Sequence, residues 1–458
     1  MNETPFLEIG RIYLAQKAYF DTNDTKNVQF RLIQLQKFKT LIERYQNEIE
    51  AALWIDLHKS KEEAFLTEIS IVLMEVKYHI AHLKKWSASK RVRTPFHLLP
   101  SSSKIVYEPL GLSLIIAPWN YPFQLLMNSL VGAISSGCCA ILKPSPDTPT
   151  IAKLMQKMIQ ETFDENYIAV VQGGKETNTL LLQKRFDVIF FTGSSRVGKI
   201  VMKAAAENLT PVVLELGGKS PCIVGQDANI TIAARRIIWG KLINAGQTCI
   251  APDYVFVHNS VKDELLKSMV KEMKSMYGED FKASRFYPRI VNDAAMERLT
   301  NLLQNVEIYF GGQVDKTERY ISPTILDNVK PEDEIMKGEI FGPILPILTF
   351  KKIDEALKHV AKNEKPLAFY YFGKSKHAKE ILFNSTSGGA CINDTLMHIV
   401  NHNLPFGGVG NSGMGKYHGK ESFLAFSNQR GVIASSTWLD LPFKYVPFKG
   451  FSFVKRLF

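Results

Sequence analysis

Cysteine is scarce in this chain, and the five present, Cys138, Cys139, Cys222, Cys249 and Cys391, show no paired spacing. An odd, scattered set argues against a disulfide framework and fits a reducing compartment. There is no C-x-x-C and no H-E-x-x-H, and the ten histidines are dispersed, so no metal centre is expected. Long apolar runs are missing: stretches such as 112–117 fall far short of the roughly 20 residues that span a bilayer. The first residues, Met1-Asn-Glu-Thr-Pro-Phe6, have neither the basic region nor the apolar core of a secretory signal, and the expected location is the cytoplasm. Lysine and arginine outnumber the acids, 56 to 45, for a net charge of +11. No Lys/Arg block interleaved with aromatics follows one element, however, so no nucleic-acid partner is expected. Internal repeats and low-complexity segments are also absent.

What is there is an ordinary globular composition, 45% hydrophobic and 22% charged, over 458 residues, a length that suits two or three domains. Residues 28–87 read as helices: Leu32, Leu35, Phe38, Leu41 and Ile42 recur at helical spacing, and a second periodic stretch covers 65–86. The basic, proline-punctuated 91–103 reads as a linker. The pattern then changes to short β-rich runs at 112–117, 139–142, 168–172, 187–191 and 211–216, with helical segments such as 150–163 and 198–208 between them. A second series follows at 221–224, 254–257, 347–350 and 391–393, with helices such as 230–243 and 261–277. Strands alternating with helices predict parallel, helix-covered sheets: two α/β domains in series, meeting near Leu216. Ligands of such sheets bind beyond the carboxyl ends of the strands.

The chemistry-bearing residues fall at those ends. Cys249 sits in Asn244-Ala-Gly-Gln-Thr-Cys-Ile-Ala-Pro-Asp-Tyr254, and Glu215 in Leu214-Glu-Leu-Gly-Gly-Lys219. A thiol with a water-activating carboxylate suits two-step covalent oxidation or hydrolysis of a carbonyl, and the pair alone leaves both open. Asn120, in Pro118-Trp-Asn-Tyr-Pro122, offers an amide N–H to an oxyanion, or merely shapes a turn. Lys143 ends a strand where a ribose or phosphate would lie, or is a surface lysine. Gly193 and Ser194, in Phe191-Thr-Gly-Ser194, open a helix whose first N–H groups suit a pyrophosphate. The literal G-x-G-x-x-G, Gly408-Val-Gly-Asn-Ser-Gly413, follows no predicted strand and reads instead as a glycine-rich linker passing an active site. Glu339, in Glu339-Ile-Phe-Gly-Pro343, reads alone as an ordinary acid.

Taken together and in this order, with Lys143-Pro-Ser145, Gly246-Gln-Thr-Cys249 and Leu404-Pro-Phe-Gly-Gly408, these segments resemble the NAD(P)-dependent aldehyde dehydrogenase superfamily over nearly the whole chain. Gly246–Tyr254 and Ser412-Gly-Met-Gly-Lys-Tyr-His-Gly419 look most like its class 3, fatty-aldehyde type. The resemblance implies two doubly wound parallel-sheet domains plus a small β flap. The Rossmann-like NAD(P)-binding domain would comprise 1–101 and 113–216, and the catalytic domain 217–411. Oligomerisation strands would lie at 102–112 and 424–436, and an aromatic, basic tail at 437–458. It implies Cys249 as nucleophile, Asn120 with the Cys249 N–H as oxyanion donors, and Glu215 as activator of the hydrolytic water. Lys143, Gly193, Ser194, Glu339, Phe341, Trp119 and Leu216 would contact the cofactor, and Tyr121 and Phe406 the substrate. Many members carry glutamate two residues after the Lys-Pro pair, where it contacts the adenosine ribose; here Pro146 stands there, followed by Asp147. Loss of that glutamate removes a hydrogen bond to the 2′-OH and the repulsion of a 2′-phosphate, so NADP is not excluded, and NAD is the expected cofactor.

The tail mixes Trp438, Phe448 and Phe451 with Lys444, Lys449, Lys455 and Arg456, broken by Pro442, Pro447 and Gly450. It is read first as packing across a homodimer partner beside the substrate entrance, and second as lying on an anionic membrane surface. Either placement favours long apolar aldehydes, fatty or isoprenoid and carotenoid-derived. The competing functions are a CoA-acylating or reductive relative, against which Glu215 speaks, and a cofactor-binding protein without catalysis.

Overall fold

The computed structural model describes residues 3–440 and 442–456; Met1 and Asn2 of the leading segment, and Leu441, Leu457 and Phe458 of the tail, lie outside the described residues. A six-stranded sheet runs in the order Gly413–Met414, Val212–Leu216, Val188–Gly193, Leu112–Ile116, Cys139–Lys143, Ile168–Val170. All its pairings are parallel except that of Gly413–Met414. Its strands are buried almost throughout, as a parallel sheet covered on both faces requires. A seven-stranded sheet is built from the second half in the order Glu307–Phe310, Thr324–Asp327, Ile344–Phe350, Tyr254–His258, Pro221–Val224, Ala368–Phe372, Gly389–Ile392, antiparallel only at its first edge. A three-stranded antiparallel sheet of Lys90–Val92, Ser102–Pro109 and Ser427–Ala434 stands apart. The expected α/β class, with two parallel Rossmann-like sheets and a small antiparallel one, is the class observed.

The differences have local reasons. Residues 91–103 are not wholly a linker: Lys90–Val92 pairs with Ser102–Pro109, Lys90 opposite Ile105 and Val92 opposite Ser103. Its Lys-Arg-Val sequence is what an exposed edge strand uses to discourage further pairing. A helix over Phe6–Asp21 was not foreseen; it buries Ile9, Ile12 and Gln16, and the Gln16 amide donates to the Ala140 and Glu165 carbonyls. The strand Ala368–Phe372, Ala-Phe-Tyr-Tyr-Phe, is buried on both sides and so lacks the alternation that marks a half-exposed strand. The helical N-terminal region holds, and the turn Phe65–Ile69 that leads into helix Ser70–Ser87 is of π type. Such turns push one side of a helix outward, often at functional sites; here that side carries Leu66, Ile71 and Met74 into a cavity between helices and sheets.

Candidate active site

Helix Ile230–Leu242 leads into a turn where Asn244 (φ 52°), Ala245 (φ 51°) and Gly246 (φ 74°) follow one another in the left-handed region. Side chains with a Cβ avoid this conformation, so contacts must hold it. The Asn244 N–H donates to Glu63 Oε1 at 2.8 Å, and its Nδ2 to the carbonyls of Asn120 (2.8 Å) and Gln247 (3.0 Å). The Gln247 amide donates to Asn244 O and Arg289 O, and accepts from the Val291 N–H. A Cβ on Gly246 would stand 2.2 Å from the Gly342 carbonyl, so only glycine fits. The turn delivers Cys249, half-buried, to the wall of a cavity of about 620 Å3. Burial, then Glu339 and Glu215, push its thiol up to about 12, while its own N–H and that of Ile250 oppose the rise.

Asn120 is placed by a buried ion pair. Lys59 donates to Glu68 at 2.5 Å and to the Asn120 carbonyl at 2.8 Å. Glu68 Oε2 accepts from the N–H groups of Phe123 and Gln124 and so caps helix Pro122–Ser136, whose own cap residue, Tyr121, makes no side-chain bond to the helix start. Asn120 Nδ2 donates to the Gln247 carbonyl at 3.0 Å. A side-chain amide has a second N–H, which leaves one donor for a ligand. Tyr121 bonds Thr248 at 2.7 Å and lies under the Lys59 ammonium, 4.0 Å from its ring centre.

Glu215 lines the same cavity as Cys249, Tyr121, Thr192, Leu216 and Phe406. It is 3% exposed and neither carboxylate oxygen has a partner. Burial holds it well above the usual carboxylate range, with Lys416 pulling the other way. The cavity is otherwise almost wholly apolar, with Trp239, Ile243, Met276, Tyr277, Phe286 and Val400 in its wall. Phe406 is fixed by backbone bonds to Tyr417 in both directions and by stacking on His398.

Glu339 Oε1 is buried without a partner, and a Cβ on Gly217 would meet Glu339 Oε2 at 2.1 Å. Burial, then Asp253, push the Glu339 carboxyl up to about 8. Lys143 ends its strand with its ammonium bonded to the adjacent Pro144 carbonyl at 2.8 Å, and burial pulls it down to about 8. Gly193 ends the strand Val188–Gly193, and Ser194 accepts from the Val197 N–H as N-cap of helix Ser195–Ala206. The Ser194 hydroxyl thus caps the helix, leaving a phosphate to the backbone N–H groups. Trp119 meets Phe341 edge-on at 5.4 Å, and Phe341 sits at φ 51°. Leu216 packs against Gly198, where a Cβ would meet its methyl at 2.7 Å, and also faces the cavity. An orphaned buried carboxylate oxygen, a lysine with donors to spare and the remaining backbone N–H groups of a helix start fit the riboses and phosphates of a dinucleotide.

Sequence reasoning passed over Lys59, Glu63, Glu68 and Lys416. The first three sit in a stretch, Lys59-Ser-Lys-Glu-Glu-Ala-Phe-Leu-Thr-Glu68, that looks like any solvated helix start; only their burial distinguishes them. A further buried cluster joins Glu75, His402, His418 and His79. Both Glu75 oxygens are already engaged, by His402, His79, Ser422 and the Gly419 N–H. This is a hydrogen-bond hub tying helix Ser70–Ser87 to the 402–422 segment.

The fold, two parallel Rossmann-like sheets with a small antiparallel one, is that of an α/β oxidoreductase. The aldehyde dehydrogenase family model matches residues 8–432. The chain is 50% identical over 454 residues to a 4,4'-diaponeurosporen-aldehyde dehydrogenase of Staphylococcus aureus, covering 98% of this chain and 99% of that protein. It is 41% identical to a dimeric NADP-preferring aldehyde dehydrogenase of Canis lupus familiaris, over 93% and 94% of the two chains. It is 43% identical to aldehyde dehydrogenase family 3 member A2 of Mus musculus, over 92% and 88%. The substrate-bound structure of Staphylococcus aureus AldH superposes with a TM-score of 0.96 at 48% identity, covering 98% and 99%. The chain belongs to the aldehyde dehydrogenase family and is an NAD(P)-dependent oxidoreductase acting on aldehydes. Among the described residues, no helix is long and apolar enough to cross a membrane.

Proposed function

We propose that the protein oxidises long apolar aldehydes to carboxylic acids through a covalent adduct on Cys249. One observation carries this reading: the thiol and a partnerless carboxylate, Glu215, face one apolar cavity with Asn120 beside the thiol loop. Cys249 Sγ adds to the aldehyde carbon as the carbonyl π bond becomes an oxyanion, and the thiol proton passes to solvent water. The free Asn120 N–H and the Cys249 N–H stabilise that charge, an interaction worth about 3 kcal/mol per donor in comparable sites. A dinucleotide bound in this chain would supply the hydride acceptor, and loss of hydride from the adduct carbon leaves a thioester on Cys249. Glu215 then takes a proton from water, whose oxygen attacks the thioester carbonyl; the acid departs and the thiol is restored. Holding the cofactor falls to Lys143, Gly193, Ser194, Glu339, Phe341, Trp119 and Leu216, and lining the substrate path to Tyr121 and Phe406. A CoA-acylating alternative has no use for a carboxylate placed for water.

The apolar wall and the name of the Staphylococcus aureus relative both support fatty or isoprenoid-type aldehydes, carotenoid aldehydes among them. Each methylene transferred from water to an apolar wall is worth about 0.8 kcal/mol. Over a series of straight-chain aldehydes, kcat/KM is expected to rise roughly three- to fourfold per methylene until the cavity is filled. A flat series, or preference for short polar aldehydes, would overturn the reading. The same series run with NAD and with NADP reports cofactor preference. NAD is the proposed cofactor, since Asp147, bonded by Ser145 and Asn292, keeps a carboxylate near Lys143 that opposes a 2′-phosphate.

A homodimer is proposed through the small antiparallel sheet, in which Ser427–Ala434 is an exposed edge strand with free backbone groups on one side. The tail follows it, with Trp438 81% and Val446 80% exposed, apolar surface that a second subunit would cover. Removing residues after Thr437 is expected to lower the oligomer mass measured by light scattering. Unchanged mass with lost co-sedimentation on anionic vesicles would instead assign the tail to a membrane surface.

A further inference from the structure

Lys416 acts on the proposed catalytic carboxylate and has no place in the steps above. It follows the short strand Gly413–Met414, which pairs antiparallel with Val212–Leu216 so that Gly413 stands opposite Glu215. Its ammonium donates to three carbonyls, Gly407, Gly408 (3.2 Å) and Gly388 (3.5 Å). An ammonium has three N–H donors, so none remains for a carboxylate. The two groups are nevertheless close. A Cβ placed on Gly407 would lie 2.7 Å from Glu215 Oε1 and 3.0 Å from Lys416 Cδ. Gly407, at φ 150°, is thus the thin partition between the charges.

Both Glu215 oxygens are free of hydrogen bonds. A directly paired lysine would occupy the lone pairs that water must use; a lysine anchored elsewhere supplies charge without doing so. We propose that Lys416 is a positioning residue for thioester hydrolysis: it is the counter-charge that opposes the rise burial imposes on the Glu215 carboxyl, and its three carbonyl anchors hold it off the oxygens that receive the water proton. The proposal rests on Glu215 being the base.

The surroundings leave the task to Lys416. The other titratable groups coupled to Glu215 are Tyr417, on the same segment, and Cys249, on the thiol loop. Burial raises both, the tyrosine well above its ordinary range and the thiol to about 12, so both are neutral near pH 7. Glu339 acts on Cys249 rather than on Glu215. Among the described residues, Lys416 is the cation acting on Glu215. An opposite charge within several ångströms typically lowers a carboxyl pKa by about 1–3 units.

The sign follows from Glu215 acting as base only when ionised. Without the cation, its proton is held to higher pH, so the acid limb of steady-state turnover moves up. In Lys416→Gln, which keeps a donor and loses the charge, that limb is expected to rise by about one pH unit or more, with turnover at neutral pH about tenfold lower. The pre-steady-state NADH burst, which precedes hydrolysis, is expected to keep its amplitude. Lys416→Arg is expected to restore the limb to the parent position. Glutamine and arginine variants with equal limbs would reduce Lys416 to an anchor of the 404–408 loop and overturn the proposal. An acid limb that persists in Glu215→Gln would instead overturn the assignment of Glu215 as the base.

Discussion

Cys249→Ala is expected to abolish aldehyde oxidation, lowering kcat by about four orders of magnitude or more, while the protein still folds and binds the dinucleotide. Deleting a covalent nucleophile removes the step that creates the reacting adduct, and losses of this size accompany such deletions in other covalent enzymes. The substitution removes one sulfur from a half-buried position at the cavity wall, so it opens no large void in the core. The loop carrying residue 249 is held by Asn244, Gln247 and Glu63, and none of those bonds uses the thiol. Stopped-flow detection of NADH measures the loss; fluorescence titration with NAD, expected to match the parent, measures retained binding. Turnover within tenfold of the parent would remove the covalent mechanism altogether.

Glu215→Gln is expected to separate the two half-reactions. Glutamine matches the carboxylate in shape, and neither Glu215 oxygen is engaged in the structure, so no existing bond is broken. Adduct formation and oxidation do not call on Glu215, so one equivalent of NADH should form at a rate close to the parent's. Hydrolysis then stalls, because the amide cannot accept a proton from water; general-base contributions of about 10²–10⁴ set the expected fall in steady-state turnover. Acid-quench and mass measurement of the intact protein should show the acyl group retained on Cys249. A missing burst would show that Glu215 serves the first step instead, as the base for a thiol that burial holds protonated up to about 12.

The parallel-sheet strands were legible because continuous apolar runs such as Cys-Ala-Ile-Leu-Lys143 and Pro-Cys-Ile-Val224 are bounded by turns. Ala368–Phe372 escaped for the converse reason: burial on both sides erases alternation. Lys90–Val92 was masked by its charges, which suit an edge strand as well as a linker. Among the candidate site residues, Cys249, Glu215 and Asn120 stand out by residue type and order. Lys59 and Glu68 do not, because a buried ion pair and a surface one are written with the same letters.

The sequence by itself determined the family, the alternation that builds two parallel sheets, and the candidates for nucleophile, base and oxyanion donor, since these depend on residue identity and order along the chain. Tertiary structure alone decided their environment. It set Glu215 without a partner in an apolar cavity, placed Lys416 one glycine away with its donors already committed, and turned the Lys59–Glu68 pair into the brace behind Asn120. Those outcomes come from desolvation and from distances between segments far apart in the chain, and neither is a property of local sequence.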